Sequence, residues 1–160
     1  MREQPPTDTI DQLLMAYADA TANIGDLRYS QRSERIQHLH AALQAAHRHV
    51  ARAAEGTFLG NLGIAYAALG EERQAIDLYE QRLVIAKELG DRQGEANSSW
   101  NLGLALAEQG EVDQAIALMQ VYVEYERALG HPDAEQDAAQ VDALRQRQQE
   151  HHNAQGRRGA

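Results

Sequence analysis

Residues 97–118 read "NSSWNLGLALAEQGEVDQAIAL" and carry two glycines, Gly103 and Gly110, within a stretch of helical apolar spacing. A glycine inside a helix costs about 1 kcal/mol relative to alanine, so Gly103 needs a reason. The reason begins with repetition. Almost the same phrase, "GNLGIAYAALGEERQAIDL", stands at 60–78. Aligning 61–90 with 101–130 at a shift of 40 leaves 13 of 30 positions identical, including Asn61/Asn101, Leu62/Leu102, Gly63/Gly103, Gly70/Gly110, Ala75/Ala115, Ile76/Ile116 and Gly90/Gly130. Two unrelated acidic helices would not keep their glycines in phase, and a fixed period of this length marks stacked supersecondary units.

Each unit parses as two helices. In the first unit Leu62, Tyr66 and Leu69 fall at helical spacing and end at Gly70, a natural C′ residue. Ala75, Ile76, Tyr79, Leu83 and Ala86 then form a second stripe that ends at Gly90. The second unit repeats this through Leu102, Ala105, Leu106, Gly110, Ala115, Ile116, Met119, Val123 and Gly130. Gly63 and Gly103 therefore have a structural role. With no side chain, they admit the paired helix closely, facing the small Ala75 and Ala115. Neither opens a helix after a strand, and the chain has no G-x-x-x-x-G-K-[ST] sequence.

Composition agrees. The 160 residues suit one ordinary domain, and 43% are apolar, with a single Phe and a single Trp. Alanine and leucine dominate that fraction, which favours close-packed helices, while few β-branched residues and three prolines argue against strands. A formal net charge of −9 opposes general nucleic-acid binding, which needs a basic face. The absence of cysteine excludes disulfides, thiolate metal sites and Cys nucleophiles. "MREQPPTDTI" has no apolar h-region and no run approaches membrane-spanning length, so a soluble, cytoplasmic protein is expected.

"NLGIAYAALGEERQAIDLYEQ" resembles the tetratricopeptide repeat, its signature carried here by Leu62, Gly63, Tyr66, Gly70, Ala75 and Tyr79. The 40-residue period and "YEQRLVIAKELGDRQGEA" (79–96) look like a subclass found in polarity adaptors of the LGN/Pins type, kinesin light chains and the sensor arms of bacterial signalling NTPases. The resemblance covers about residues 56–130. It implies an all-α, right-handed α-solenoid of antiparallel helix pairs, about seven helices in all. The polarity adaptors often carry a second Asn after Leu-Gly, where this chain has Ile64 and Leu104, a more apolar groove.

The flanks complete the expected layout of a helical domain over 9–150. Residues 10–50 read as a degenerate leading helix pair, with Leu13, Leu14 and Tyr17, then Ile36, Leu39 and Leu43, and with Ser33 as an N-cap. The repeats occupy 52–90 and 92–130. A capping helix follows over 132–150, polar outside, with Pro132 at its first position and Ala134, Ala138, Val141 and Leu144 facing inward. Residues 1–8 and 151–160 are expected to be disordered.

In stacked helical pairs the first helix of each unit lines the concave side that solenoids bind with. The outward positions there are Thr57, Gly60, Asn61, Ile64 and Ala68 in one unit, and Asn97, Trp100, Asn101, Leu104 and Glu108 in the other. By the resemblance these match groove-lining positions. Asn donates and accepts at once, which suits clamping a peptide backbone, and Trp is enriched at interface hot spots. Trp100 equally suits filling space between neighbouring helices.

Other chemistry finds little support. His38, His40, His47 and His49 cluster in one helix, but no two stand at i,i+4, and His40 and His47 lie about 10 Å apart along it. His151 and His152 could take up divalent metal adventitiously. None of Ser30, Ser33, Ser98 and Ser99 sits in a G-x-S-x-G elbow, and the Asn97-Ser98-Ser99 sequon falls within a helix. The expected function is thus non-catalytic protein–protein interaction, needing no cofactor or metal, with a protein or peptide partner and neither nucleic acid nor membrane. The alternatives are a free-standing regulatory arm acting in trans on a signalling NTPase or transcription regulator, a metal-dependent enzyme built on the His-rich helix, and homo-oligomers stacked through solenoid ends.

Overall fold

A computed structural model describes residues 12, 14–16 and 32–158. The expectations for 1–8 and for most of the leading 10–25 helix lie outside these residues. Residues 12 and 14–16 are helical, and from Arg32 on six helices follow one another among the described residues: α1 (Arg32–Arg48), α2 (Arg52–Ala67), α3 (Glu72–Leu89), α4 (Arg92–Glu108), α5 (Val112–Leu129) and α6 (Ala134–Arg158). The described residues contain no strand, so the chain is all-α, its helices packed against their sequence neighbours.

Three boundaries differ from the sequence reading. Ser33 lies inside α1, since the helix already includes Arg32, and so it is not an N-cap. Pro132 sits in the turn before α6, which begins at Ala134. The last helix runs to Arg158, past residue 150, so 151–158 are helical where a tail was expected. The helix is set up by 134–150, rich in the good helix formers Gln, Glu, Arg and Ala, and it carries on through 151–158 although His151, His152, Asn153 and Gly156 favour it less.

The chain divides into two compact units, Met1–Gly90 and Asp91–Ala160. In the first unit α2 packs against both α1 and α3. Its core joins Ile36, Leu39, Ala42 and Ala46 of α1 with Phe58, Leu59, Leu62 and Ala65 of α2 and Leu78 and Ile85 of α3. Successive members of each set stand mostly three or four residues apart, one stripe per helix. Arg52 binds α2 to α3: its guanidinium reaches Glu55 Oε1 at 2.8 Å and Glu88 Oε2 at 2.6 Å. In the second unit α5 packs against both α4 and α6. Met119, Val123 and Val141 form its buried cluster, flanked by Trp100, Ile116, Ala138 and Leu144.

Both glycines of the repeated phrase sit where the paired helix comes close. A Cβ on Gly63 would meet the Tyr79 ring at 2.5 Å, and one on Gly103 would meet Met119 Cγ at 2.5 Å and the Ala115 carbonyl oxygen at 3.0 Å. Tyr79 and Met119 are equivalent residues of the repeat, so the same approach is made twice. The turn glycines serve differently. Gly90 and Gly130 take left-handed φ values of 68° and 67° as C-caps of α3 and α5, a conformation that costs a glycine nothing sterically.

Candidate functional site

On α2, with its C-cap Ala68, the residues Thr57, Asn61, Ile64 and Ala68 lie on one face, three or four residues apart. Thr57, Ile64 and Ala68 are exposed and Asn61 is half-buried. The Thr57 hydroxyl donates to the Ala53 carbonyl at 3.1 Å, so it is engaged within its own helix. Gly60, on the same helix, is buried beneath the Arg82 side chain and is not an open position.

The equivalent face of α4 carries Asn97, Trp100, Asn101, Leu104 and Glu108. Leu104 and Glu108 are exposed, while both asparagines and Trp100 are half-buried. Ile64 at 43% exposure and Leu104 at 41% hold equivalent positions of the repeat, so each unit shows an aliphatic side chain at the same place. Beside them, Asn61, Asn97 and Asn101 keep side-chain amides that hydrogen-bond to nothing among the described residues.

Trp100 is placed differently from a free contact residue. Its ring packs on Tyr122, with centroids 5.0 Å apart and planes tilted by 43°, and it flanks the Met119–Val123–Val141 cluster. Gly60 and Arg82 hold the equivalent places in the first unit, where the arginine covers the glycine. The two units therefore fill the same space between their helices in opposite ways, once from the second helix and once from both.

A groove of about 380 Å³ runs beside Leu104 and Glu108, closed by Ala107, Met119, Gln140, Ala143, Leu144 and Arg147. Half of its wall belongs to α6, and the sequence reading missed those residues because it treated that helix only as a stop. A second hollow of about 560 Å³ lies between the Gly110–Gln114 turn and the end of α6, where Gln148 donates to Asp113 Oδ1 at 2.8 Å. The helical continuation beyond residue 150 brings His151 and His152 to its wall.

Two histidines of α1, His40 and His47, reach α2. His40 Nε2 lies 2.9 Å from the Tyr66 hydroxyl, and His47 Nδ1 lies 3.5 Å from Glu55 Oε1. Among the described residues no group of three or more His, Cys, Asp or Glu side chains is arranged to hold a metal ion. None of the described helices is long and apolar enough to cross a membrane.

The most unusual electrostatics lie at the elbow between α5 and α6. Glu126 is only 4% exposed. The Asp137 carboxyl is held above the ordinary aspartate range by burial and then by the neighbouring Glu126. The Tyr122 phenol is pushed up to about 12, again by burial first and Glu126 second. An acid whose native pKa is raised binds its proton more tightly folded than unfolded, so stability falls as pH rises from the ordinary aspartate range through the raised value. Asp137→Asn removes that dependence and is expected to stabilise the chain at neutral pH by a few tenths to about 1 kcal/mol. Urea unfolding at mildly acidic and neutral pH checks it; an unchanged pH profile would show that the two carboxyls do not interact.

Residues 55–128 match the tetratricopeptide repeat family. Among solved structures, the chain superposes with a TM-score of 0.66 on a Podosopora anserina protein assigned as a kinesin light chain with nearly identical tetratricopeptide-like repeats, at 17% identity over 88% of this chain and 68% of that one. BtubC (BKLC) from P. vanneervenii is also similar, with a TM-score of 0.61, 17% identity, and coverage of 93% of this chain and 68% of that one. No curated protein matches in sequence. At such identity the structural likeness speaks for the fold, while the family match speaks for the repeated helix pairs themselves. Residues 55–128 of this chain are tetratricopeptide repeats.

Proposed function

We propose that this protein is a non-catalytic interaction module that holds a partner peptide or helix on the open faces of α2 and α4. Tetratricopeptide repeats generally mediate protein–protein interaction. The observation that carries it is the repeated pairing of an asparagine amide with no hydrogen bond among the described residues and an exposed aliphatic side chain: Asn61 with Ile64, and Asn101 with Leu104. An amide can donate to and accept from a peptide backbone, and the aliphatic gains from being covered. The groove beside Leu104 offers room for a side chain of the partner. A cytoplasmic setting and an adaptor role follow from the same proposal.

The test uses residues that the fold does not need. Asn101→Ala combined with Leu104→Asp changes only partly exposed positions, whereas Trp100→Ala would open a hole beside Tyr122. Partners captured by the wild-type chain are expected to bind the double variant about tenfold more weakly or worse, as at other interface hot spots. Full retention of every partner by the folded variant would overturn the assignment.

A further inference from the structure

We propose that the seam between α4 and α6 takes up an extended segment of a partner protein that carries a leucine-sized aliphatic side chain between one basic and one acidic residue, the base on Glu108 and the acid on Arg147. This rests on the interaction role proposed above and names the chemistry of the segment that the second unit holds.

The seam exists because α4 and α6 each pack against α5 and not against each other. Met119 of α5, 2% exposed, closes the bottom, with Leu104 of α4 on one wall and the half-buried Leu144 of α6 on the other. In the 40-residue register Leu144 follows Ile64 and Leu104, so the aliphatic position of the first helices recurs a third time on α6. Here two of its three members line one space of about 380 Å³. Covering such carbon surface is favourable, and the space admits an aliphatic side chain from outside.

The charges on the two walls say what flanks that side chain. Glu108 on α4 and Arg147 on α6 both line the seam and are exposed, and neither makes a hydrogen bond or ion pair among the described residues. Their polar neighbours on α6 are engaged: Arg145 holds Asp142 at 2.8 Å, and Gln148 donates to Asp113 Oδ1 at 2.8 Å. An apolar strip between an unpaired carboxylate and an unpaired guanidinium is complementary to a segment ordered base, aliphatic, acid. An extended chain presents all three to one side, because alternate side chains point the same way and stand about 6.6 Å apart. Leu144 and Arg147 also line the second hollow, whose far wall carries Glu111 and Asp113. The segment therefore offers Arg147 one acid, since a run of acids would meet like charge there.

The experiment titrates the isotopically labelled full chain with acetyl-Gly-Lys-Ala-Leu-Ala-Glu-Gly-amide and with the same residues in reverse order. The readouts are the backbone amides of Leu104, Glu108, Leu144 and Arg147 and the methyl group of Met119. The proposal expects saturable shifts at these groups with one of the two orders. Serine in place of the peptide's leucine is expected to weaken binding about tenfold, and Arg147→Glu about two- to fivefold. Lysine in place of the peptide's acid should then restore binding to Arg147→Glu. The substitution falls on an exposed residue without a partner, so the fold does not depend on it. No saturable shift with either order through the tens of millimolar, equal binding of the serine peptide, or an Arg147→Glu chain that treats the acid and lysine peptides as the wild type does would overturn the proposal. Partner capture separates it from the reading it rests on. Partners lost by Asn101→Ala with Leu104→Asp but kept in full by Arg147→Glu would overturn the seam and leave the interaction role standing, whereas partners kept by the double variant would overturn the role itself.

Discussion

Gly63→Ala is expected to destabilise the chain by about 2 kcal/mol, although alanine is the better helix former by about 1 kcal/mol. The added Cβ would lie 2.5 Å from Tyr79 Cε1 and 2.7 Å from Cδ1. Tyr79 is 3% exposed, so its ring has no solvent to swing into. Burial also pushes its phenol up to about 12. A flat, rigid ring cannot fold away from a methyl group, so α2 and α3 must separate. Gly103→Ala meets Met119 Cγ at 2.5 Å, a side chain with several rotatable bonds, but also the Ala115 carbonyl oxygen at 3.0 Å. The methionine can adjust and the backbone oxygen cannot, so a smaller loss of about 1 kcal/mol is expected there. Urea unfolding of the two variants gives the ranking directly. Pairing Gly63→Ala with Tyr79→Leu should recover part of the loss, a non-additivity that identifies the ring as the obstacle. A raised midpoint for Gly63→Ala would mean that helix propensity outweighs close approach, and the account of these glycines would be wrong.

Those glycines were legible because the repeat reveals them: one unexplained helical glycine is noise, while two in phase are a packing rule. The helix pairs and the αL turns were legible for the same reason, since Gly90 and Gly130 recur at the period. The outward faces of α2 and α4 could be listed from spacing alone, yet Gly60 and Trp100 could not be placed. Whether such positions are open depends on what the second helix brings, and Arg82 and Tyr122 differ where the rest of the repeat agrees. The elbow of Tyr122, Glu126, His131, Asp133 and Asp137 left no trace in the periodicity. Glu126 stands where the first unit has Ala86, and a single acid in an acidic chain announces nothing until its burial is known. The groove wall from α6 is not legible in the sequence, because a polar terminal helix reads as an ending whether or not it lines a groove.

Val50→Gly is expected to stabilise the chain by about 1 kcal/mol and to raise its melting temperature by roughly 2–4 °C. In the 40-residue register Val50 stands at the place of Gly90 and Gly130. It adopts their backbone, with φ of 52°, as the one non-glycine residue with positive φ among those described. Its hydrogen bonds are those of the glycine turn: Val50 N–H donates to His47 O at 3.1 Å and Ala51 N–H to Ala46 O at 2.9 Å. Gly130 N–H to Arg127 O at 3.1 Å and His131 N–H to Glu126 O at 2.9 Å repeat them. For a β-branched residue the left-handed region costs about 1–2 kcal/mol, and the greater entropy of glycine in the unfolded chain offsets about 0.4–1 kcal/mol of the gain from relieving it. No packing is lost in the exchange, because Val50 is 85% exposed. The reverse substitution is an equally clean measurement. Nothing lies within 4 Å of a Cβ added to Gly90, so Gly90→Val meets only backbone strain and should lower stability by about as much as Val50→Gly raises it. Opposite signs in the two variants would establish that the turn between α1 and α2 follows the same backbone rule as the later ones while carrying the wrong residue for it. A loss of stability in Val50→Gly would show that the side chain contributes something its exposure does not reveal.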